Sequence, residues 1–397
     1  MSLMERMLKA STIANTALLD ESILFKDTFV APTLIPIMNV ALSGGFDGGL
    51  TAGVTQFAGP SKHFKTLFGM TCCRAYLDKF PDAIILFYDS EFGAGWKYFD
   101  AMGIPRDRVI HTPIENIEQL KHDIVNQLQE IKRGDHVIIF TDSVGNLASL
   151  KEVEDAKEGK TVADMTRAKQ LKSLFRIVTP MVSMRDIPMV VINHSYKTLE
   201  MYSKDVPSGG TGMYYSSQQI FIIGRSQEKG KEKELLGYNF TLKAEKSRFI
   251  PEQSKFVVNV TFDEGVNVWS GLLELAMDLG FVIKPRPGYY TLKGRTKQYN
   301  LEGTNSKEFF EPLLTNPEFC EAVKQKYTLS SNTLLSSELT EAEVDAEYAN
   351  AKTVEAEEGL PEKPKKSVKQ QMLDQDAEDK RAARRARREA RKGKKSR

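Results

Sequence analysis

Cysteine is nearly absent from this sequence: there are three in 397 residues, with Cys72 and Cys73 adjacent and Cys320 far from both. That set supplies neither a disulfide framework nor the paired spacing of a zinc site, so the thiols are expected to be buried as small apolar residues. Long apolar runs are missing too. Nothing approaches the roughly 20 consecutive apolar residues of a membrane helix, and Met1 to Leu19 has neither an apolar signal core nor a small-residue cleavage site. That stretch reads as a short helix with Leu3, Met4, Met7 and Leu8 on one face, and the expectation is a soluble cytoplasmic protein with no membrane partner. No repeat of solenoid period is visible. A strong net charge is also lacking, the total being +2, so any contact with a polyanion must come from local patches rather than a global field.

The small total conceals a division along the chain. Residues 338–362 carry nine acids and one base, whereas 380–397 carry eleven bases and one acid. With its charge blocks and with Tyr348 the one aromatic of 338–362, 331–397 is expected to be a disordered tail, acidic first and then basic. Its Arg-Arg-Ala-Arg-Arg run suits DNA, or equally a solvated extension with no specific role. Upstream, an ordinary share of hydrophobic residues, 41% overall, allows a sizeable core and smaller appendages.

From Thr51 onward, β-rich runs alternate with helical stretches. Strands are expected over Val54–Ala58, Ala83–Tyr88, His136–Thr141, Met189–Asn193 and Gln219–Ile223, with helices after Lys65 and near Trp96. Such alternation predicts an α/β fold with a mostly parallel sheet covered on both faces. Glu234–Ala244 and Lys255–Phe262 read as later strands able to pair antiparallel. Beyond Gly265, a helix over Leu272–Leu279, a hairpin around Pro285, Pro287 and Gly288, and a final helix over Ser306–Tyr327 suggest a small C-terminal domain.

The first strand runs into Gly59, Pro60, Ser61, Lys62, His63, Phe64, Lys65 and Thr66, then into a helix. Strand, loop and helix in this order fit a phosphate loop, in which backbone N–H groups cradle the β-phosphate, Lys65 meets the β/γ-phosphates and the Thr66 hydroxyl binds Mg²⁺. Phe64 departs from that pattern, which has glycine there, and a bulky residue at positive φ is an outlier. On its own the motif is balanced by an ordinary surface loop. Its companions fall in the right order. Val137–Asp142 is an apolar strand ending in a carboxylate suited to the Mg²⁺ of a nucleotide site, or else simply a solvated strand end. The strand ending at Tyr88 leads to Glu91, placed at the sheet edge where ligands of open α/β sheets bind and able to orient and deprotonate a water. Another strand ends in Asn193 and His194, the histidine being either structural or a sensor of the γ-phosphate.

Taken together, the run Met38–Gly45, the loop GPSKHFKT, the strand ends LFYDSEFG and FTDSVGNLAS, the MTRAK-to-SLFR helix and the strand VVINH resemble the UvsX-type recombinases of tailed phages, the viral branch of the RecA family. The resemblance runs from about Met1 to Tyr327, and phenylalanine in place of the loop glycine belongs to that branch. It implies a RecA-like ATPase core over 31–268, an N-terminal helical arm for subunit contacts over 1–30 and a small α+β domain over 269–330. It further implies that Gly59 to Thr66 hold ATP, that Thr66 and Asp142 hold Mg²⁺, and that Glu91 is the catalytic carboxylate. Tyr98 falls where the family stacks an aromatic on adenine, although as a residue it could as well be core. His194 takes the place of a γ-phosphate-sensing glutamine, and Lys246 and Arg248 match a basic pair inserted into the neighbouring subunit's ATP site.

Two segments look like the family's DNA-binding loops: Ala148–Ala163, which by composition alone is an ordinary surface loop, and Ser195–Ser217. The second contains Tyr196, Lys197, Lys204, Gly209 and Gly210, and its glycine-rich backbone can grip phosphates without reading sequence. The implied activity is ATP-dependent strand exchange in a filament on single-stranded DNA, with double-stranded DNA, a single-strand-binding protein and a loading mediator as partners and, for a phage protein, the host bacterial cytoplasm as location. A replicative helicase of the same fold is the first rival, disfavoured by the short stretch before the core. The second is a filament scaffold that no longer hydrolyses ATP, disfavoured by Glu91 and Asp142.

Overall fold

The alternation seen in the sequence becomes one large sheet with helices on both faces. A computed structural model describes residues 1–26, 28–159, 166–198, 205–230, 232–327 and 329; the tail expectation for 331–397 and the DNA contact expected of Lys204 lie outside these. The chain begins with helices α1 (Leu3–Ala10), α2 (Ile23–Lys26) and α3 (Pro36–Ser43), followed by β1 (Gly53–Ala58), α4 (Lys65–Lys79), β2 (Ile84–Asp89) and α5 (Trp96–Ala101). Next come β3 (Val109–Pro113), α6 (Ile117–Glu130), β4 (Val137–Asp142), α7 (Leu150–Lys157), α8 (Thr166–Arg185) and β5 (Pro188–Asn193). Then follow β6 (Ser195–Lys197), β7 (Asp205–Pro207), α9 (Gly210–Ser216), β8 (Gln219–Lys229), β9 (Leu235–Ser247), β10 (Lys255–Thr261) and β11 (Gly265–Val266). The last described elements are α10 (Leu272–Asp278), β12 (Val282–Arg286), β13 (Tyr289–Leu292), β14 (Tyr299–Asn300), α11 (Leu301–Thr304), α12 (Lys307–Leu314) and α13 (Pro317–Tyr327).

The main sheet has the order β11-β10-β9-β8-β1-β5-β4-β2-β3. From β8 through β1, β5, β4 and β2 to β3 every pairing is parallel, while β9, β10 and β11 add on antiparallel. Central strands are mostly apolar on both sides because both sides are covered, with Thr55 and Gln56 of β1 buried among them. Successive residues point to opposite faces. Phe57, Phe140, Val190 and Ile192 therefore enter a core shared with α3, α4 and α10, and Val54, Ile139, Met189 and Val191 enter another shared with α6, α8 and α9. Helix α4 approaches the sheet closely at Gly69, where a Cβ would lie 2.4 Å from Cε2 of Phe140.

After β11 the chain packs β12, β13 and β14 as a small antiparallel sheet beside the terminal helices. Phe319 of α13 meets Phe46, just beyond α3, with ring centroids 5.4 Å apart, and Lys324 pairs with Asp47 at 2.8 Å. Among the described residues no helix is long and apolar enough to cross a membrane.

Three readings of the sequence need adjustment. The helix expected over Ser306–Tyr327 is two, α12 and α13, separated just before Pro317, whose ring restricts the preceding residue. The first loop segment, Ala148–Ala163, contains the helix α7, whose start is capped by Ser149 accepting from the Glu152 amide at 3.1 Å. The second, Ser195–Ser217, holds the β6–β7 ribbon and α9. Cys72 and Cys73 are buried as expected, and Cys320 is only half-buried.

Candidate functional site

Parallel pairing brings four strand ends to one edge of the sheet. Ala58 of β1 stands beside Asn193 of β5, and Asp89 of β2 beside Asp142 of β4. The segments that leave these strands carry the phosphate-loop motif, His194, Ser143 and Glu91, within three strand spacings or roughly 14 Å.

The loop from Gly59 to Phe64 turns through two left-handed residues, Lys62 (φ 62°) and Phe64 (φ 53°), before Lys65 opens α4. For a residue other than glycine this conformation costs about 1–2 kcal/mol. Packing offsets it: the Phe64 ring lies 4.8 Å from that of Phe240 on β9. The Lys62 carbonyl is held by Arg225 of β8 at 3.1 Å, and His63 Nδ1 lies 2.9 Å from the Ser61 carbonyl. Lys65 is buried, and its Nζ donates to the Pro60 carbonyl at 2.9 Å. Burial lowers its pKa, opposed by the charges of Glu91 and Asp142. The ammonium is thus aimed across its own loop, where an anion would be a stronger partner than a carbonyl.

Opposite the loop, Thr66 Oγ1 donates to Asp142 Oδ2 at 2.6 Å. Asp142 Oδ1 is buried and has no hydrogen-bond partner. Burial pushes the Asp142 carboxyl up to about 6 despite the Thr66 hydrogen bond. A hydroxyl and a carboxylate with one orphaned oxygen fit Mg²⁺, a hard cation that keeps waters and takes its remaining ligands from phosphates. No cluster of three or more acidic, histidine or cysteine ligands occurs among the described residues.

Glu91 is fixed through a single oxygen. Its Oε1 accepts from Ser143 Oγ at 2.5 Å and Asn146 Nδ2 at 3.1 Å. His194 Nε2 is 3.2 Å from the same oxygen, a close polar contact that lacks the alignment of a hydrogen bond. His194, then Ser143 and Lys65, hold the Glu91 carboxyl below the usual carboxylate range against the opposing effect of burial. It is therefore ionised near neutral pH, as a group that orients and deprotonates water must be. Close by, a Cβ on Gly145 would lie 2.3 Å from His194 Cδ2, so glycine is what lets the imidazole sit there.

Tyr98, on α5, lines a cavity of about 460 Å³ together with Phe64, Leu67 and Thr71 of the loop-helix unit and Val260 and Gly265 from β10 and β11. It is partly exposed, and burial of the rest raises its pKa. The structure does not bring Lys246 and Arg248 to this group. Lys246 pairs with Ile220, near the start of a strand parallel to β1, so it lies toward the opposite edge of the sheet. Its Nζ donates to the carbonyls of Tyr214 and Tyr215, at 2.8 and 3.2 Å, while Arg248 is exposed. In the second loop segment, Tyr196 and Lys197 are exposed on β6, and Gly209 and Gly210 adopt positive φ at the entry to α9.

Ser143, Asn146 and Arg225 were not among the residues singled out from the sequence. The first two stand in the FTDSVGN stretch, where polar residues directly after a strand-ending aspartate are a readable signal. Arg225 has none, since it reaches Lys62 only through the pairing of β8 with β1.

Comparison with known proteins gives the family of the chain. A family model described as the C-terminal domain of the bacteriophage T4 recombination and repair protein matches residues 269–323. The recombination and repair protein of Enterobacteria phage T4 is 48% identical over 360 residues, covering 88% of this chain and 91% of that protein. Protein RecA of Streptomyces rimosus is 23% identical over 325 residues, 81% of this chain and 82% of its own length. Protein RecA of Streptococcus mutans is 23% identical over 297 residues, 73% of each chain.

Proposed function

Because the chain belongs to the family of the phage T4 recombination and repair protein, the UvsX-type branch of RecA, we propose that it is an ATP-dependent recombinase. It forms filaments on single-stranded DNA and catalyses homologous pairing and strand exchange with double-stranded DNA. The observation that carries this reading is the convergence of Lys65, Thr66, Asp142, Glu91 and His194 at one sheet edge.

The loop Gly59–Thr66 would hold the phosphates of ATP, and Tyr98, in the adjoining cavity, would be available to its base. Lys65 exchanges the Pro60 carbonyl for phosphate oxygens. Thr66 and Asp142 would hold Mg²⁺, which would neutralise phosphate charge. Glu91, with Oε1 engaged, presents its other oxygen to the attacking water. His194 stands between Glu91 and the segment that begins at Ser195, so the state of the nucleotide is passed to Tyr196, Lys197, Lys204, Gly209 and Gly210, the residues assigned to DNA. Lys246 and Arg248, facing away from their own site, complete that of the next subunit. Residues 1–30 dock on that neighbour, 31–268 form the ATPase and DNA-binding core, 269–330 the small C-terminal domain and 331–397 the charged tail. A single-strand-binding protein and a loading mediator are the partners assigned to it, in the host cytoplasm.

Phosphate release measured with and without single-stranded DNA tests this. The wild type should be stimulated by DNA, Lys65→Ala should lose turnover, and Glu91→Gln should keep ATP binding while hydrolysing roughly 10²-fold more slowly. Turnover at the wild-type rate in Lys65→Ala would overturn the phosphate-loop assignment.

A further inference from the structure

Arg167, in the first turn of α8, spends its guanidinium on the backbone of another segment. Nε donates to the Leu147 carbonyl at 2.8 Å, and Nη2 to the carbonyls of Val144 and Gly145 at 3.0 and 2.8 Å. Nη1 reaches Ser208 Oγ at 3.4 Å. The three carbonyls belong to the turn after β4 that carries Ser143 and Asn146 onto Glu91, while Ser208 lies between β7 and α9 in the second DNA segment. Ser208 is itself fastened to the end of β5: its amide donates to the His194 carbonyl at 2.8 Å, and its carbonyl accepts from Asn193 Nδ2 at 2.7 Å. Arg167 is half desolvated, which lowers its pKa against the opposing charge of Glu152.

We infer that Arg167 is the positioning residue that couples the nucleotide site to DNA, by fixing the turn Val144–Leu147 and Ser208 to one rigid fork. The planar guanidinium suits this role because its five donors are set in fixed directions, so carbonyls on one segment and a hydroxyl on another are gripped in a defined relation. Gly145 lies against the His194 ring, so a movement of that ring is a movement of a carbonyl that Arg167 holds. Displacement at Glu91 and His194 then reaches the second DNA segment by two routes, directly along the chain from His194 and through Arg167 to Ser208. This inference rests on the nucleotide-gated DNA binding proposed above.

The test measures single-stranded DNA affinity with and without a non-hydrolysable ATP analogue, for the wild type, Arg167→Ala and Arg167→Lys, with nucleotide affinity measured in the absence of DNA. The wild type should bind DNA more tightly with the analogue. Both variants should lose about tenfold of that tightening while binding the analogue alone within about twofold of the wild type. Lysine keeps the charge but lacks the fork, so its failure to rescue marks geometry, not charge, as the cause. Should Arg167→Ala not fold, as judged by thermal melting, Arg167→Lys carries the test. Tightening retained in Arg167→Lys, or weakening by the same factor with and without the analogue, overturns the inference, the latter marking Arg167 as a plain DNA contact. A wild type showing no nucleotide-dependent tightening would instead overturn the function on which the inference rests.

Discussion

Asp142 shows how one side chain can trade stability for binding. Its carboxyl is pushed up to about 6 by burial, so protonation favours the folded state and ionisation works against it. The stability supplied by the protonated form is complete at pH values below the ordinary carboxylate range and is lost as pH rises toward 6. Asn mimics the protonated form and keeps an oxygen for Thr66. Without nucleotide or Mg²⁺, Asp142→Asn should therefore be more stable than the wild type at pH 7, by up to about 3 kcal/mol for a shift of this size. The gap should close by about pH 4, where both side chains are neutral. Urea unfolding at the two pH values checks this, and equal midpoints at pH 7 would rule out a destabilising charge at this position. Mg²⁺-dependent nucleotide binding should run the other way, strengthening through pH 6 in the wild type and being absent from the variant.

At the scale of elements, the loop-to-helix unit from Gly59 to Lys79 joins a strained turn to a buried helix. Phe64 holds a left-handed conformation at the N-cap of α4 and packs on Phe240. Removing the ring should cost stability in either Phe64→Ala or Phe64→Gly, but glycine alone also relieves the strain. Phe64→Gly should thus be the more stable of the two by about 1 kcal/mol, the reverse of their order within a helix. Denaturant midpoints of the pair decide it, and alanine above glycine would show that the strain is not there. These elements were legible because each carries a local signal: Val54–Ala58 is a β-rich run with Thr55 and Gln56 in its middle, Val137–Phe140 is an unbroken apolar run, and each is followed by polar residues of the site. What could not be read is non-local. The motif names Lys65, Thr66 and Asp142 but not the Thr66–Asp142 hydrogen bond, which depends on β5 standing between β1 and β4. α7 was hidden because its Lys- and Glu-rich sequence buries nothing in its own helix and leaves only a Ser149 cap as a sign. The break between α12 and α13 was marked by Pro317, but the apolar residues on either side read through it as one period.

For the molecule as a whole, Lys246 and Arg248 lie away from their own phosphate loop, and the role proposed for them in the next subunit's site would make activity a property of pairs of subunits. Lys65→Ala and Lys246→Ala should each be inactive alone and regain turnover when mixed, because an intact loop from one variant can meet an intact basic pair from the other. Random assembly of equal amounts makes roughly a quarter of interfaces competent. Hydrolysis that stays at background in the mixture, with co-assembly verified by sedimentation, would mean that a single subunit must supply both lysines. The order of strands has a consequence for synthesis as well. β1 finds both its neighbours late in the chain, Gly53 pairing with Pro188 and Thr55 with Gln219. A nascent chain leaving the ribosome therefore exposes its phosphate loop long before the strands that hold that loop in place have emerged. Fragments released before Pro188 would carry the whole motif without the two strands that pair with β1, and should be prone to aggregation whether or not nucleotide is present.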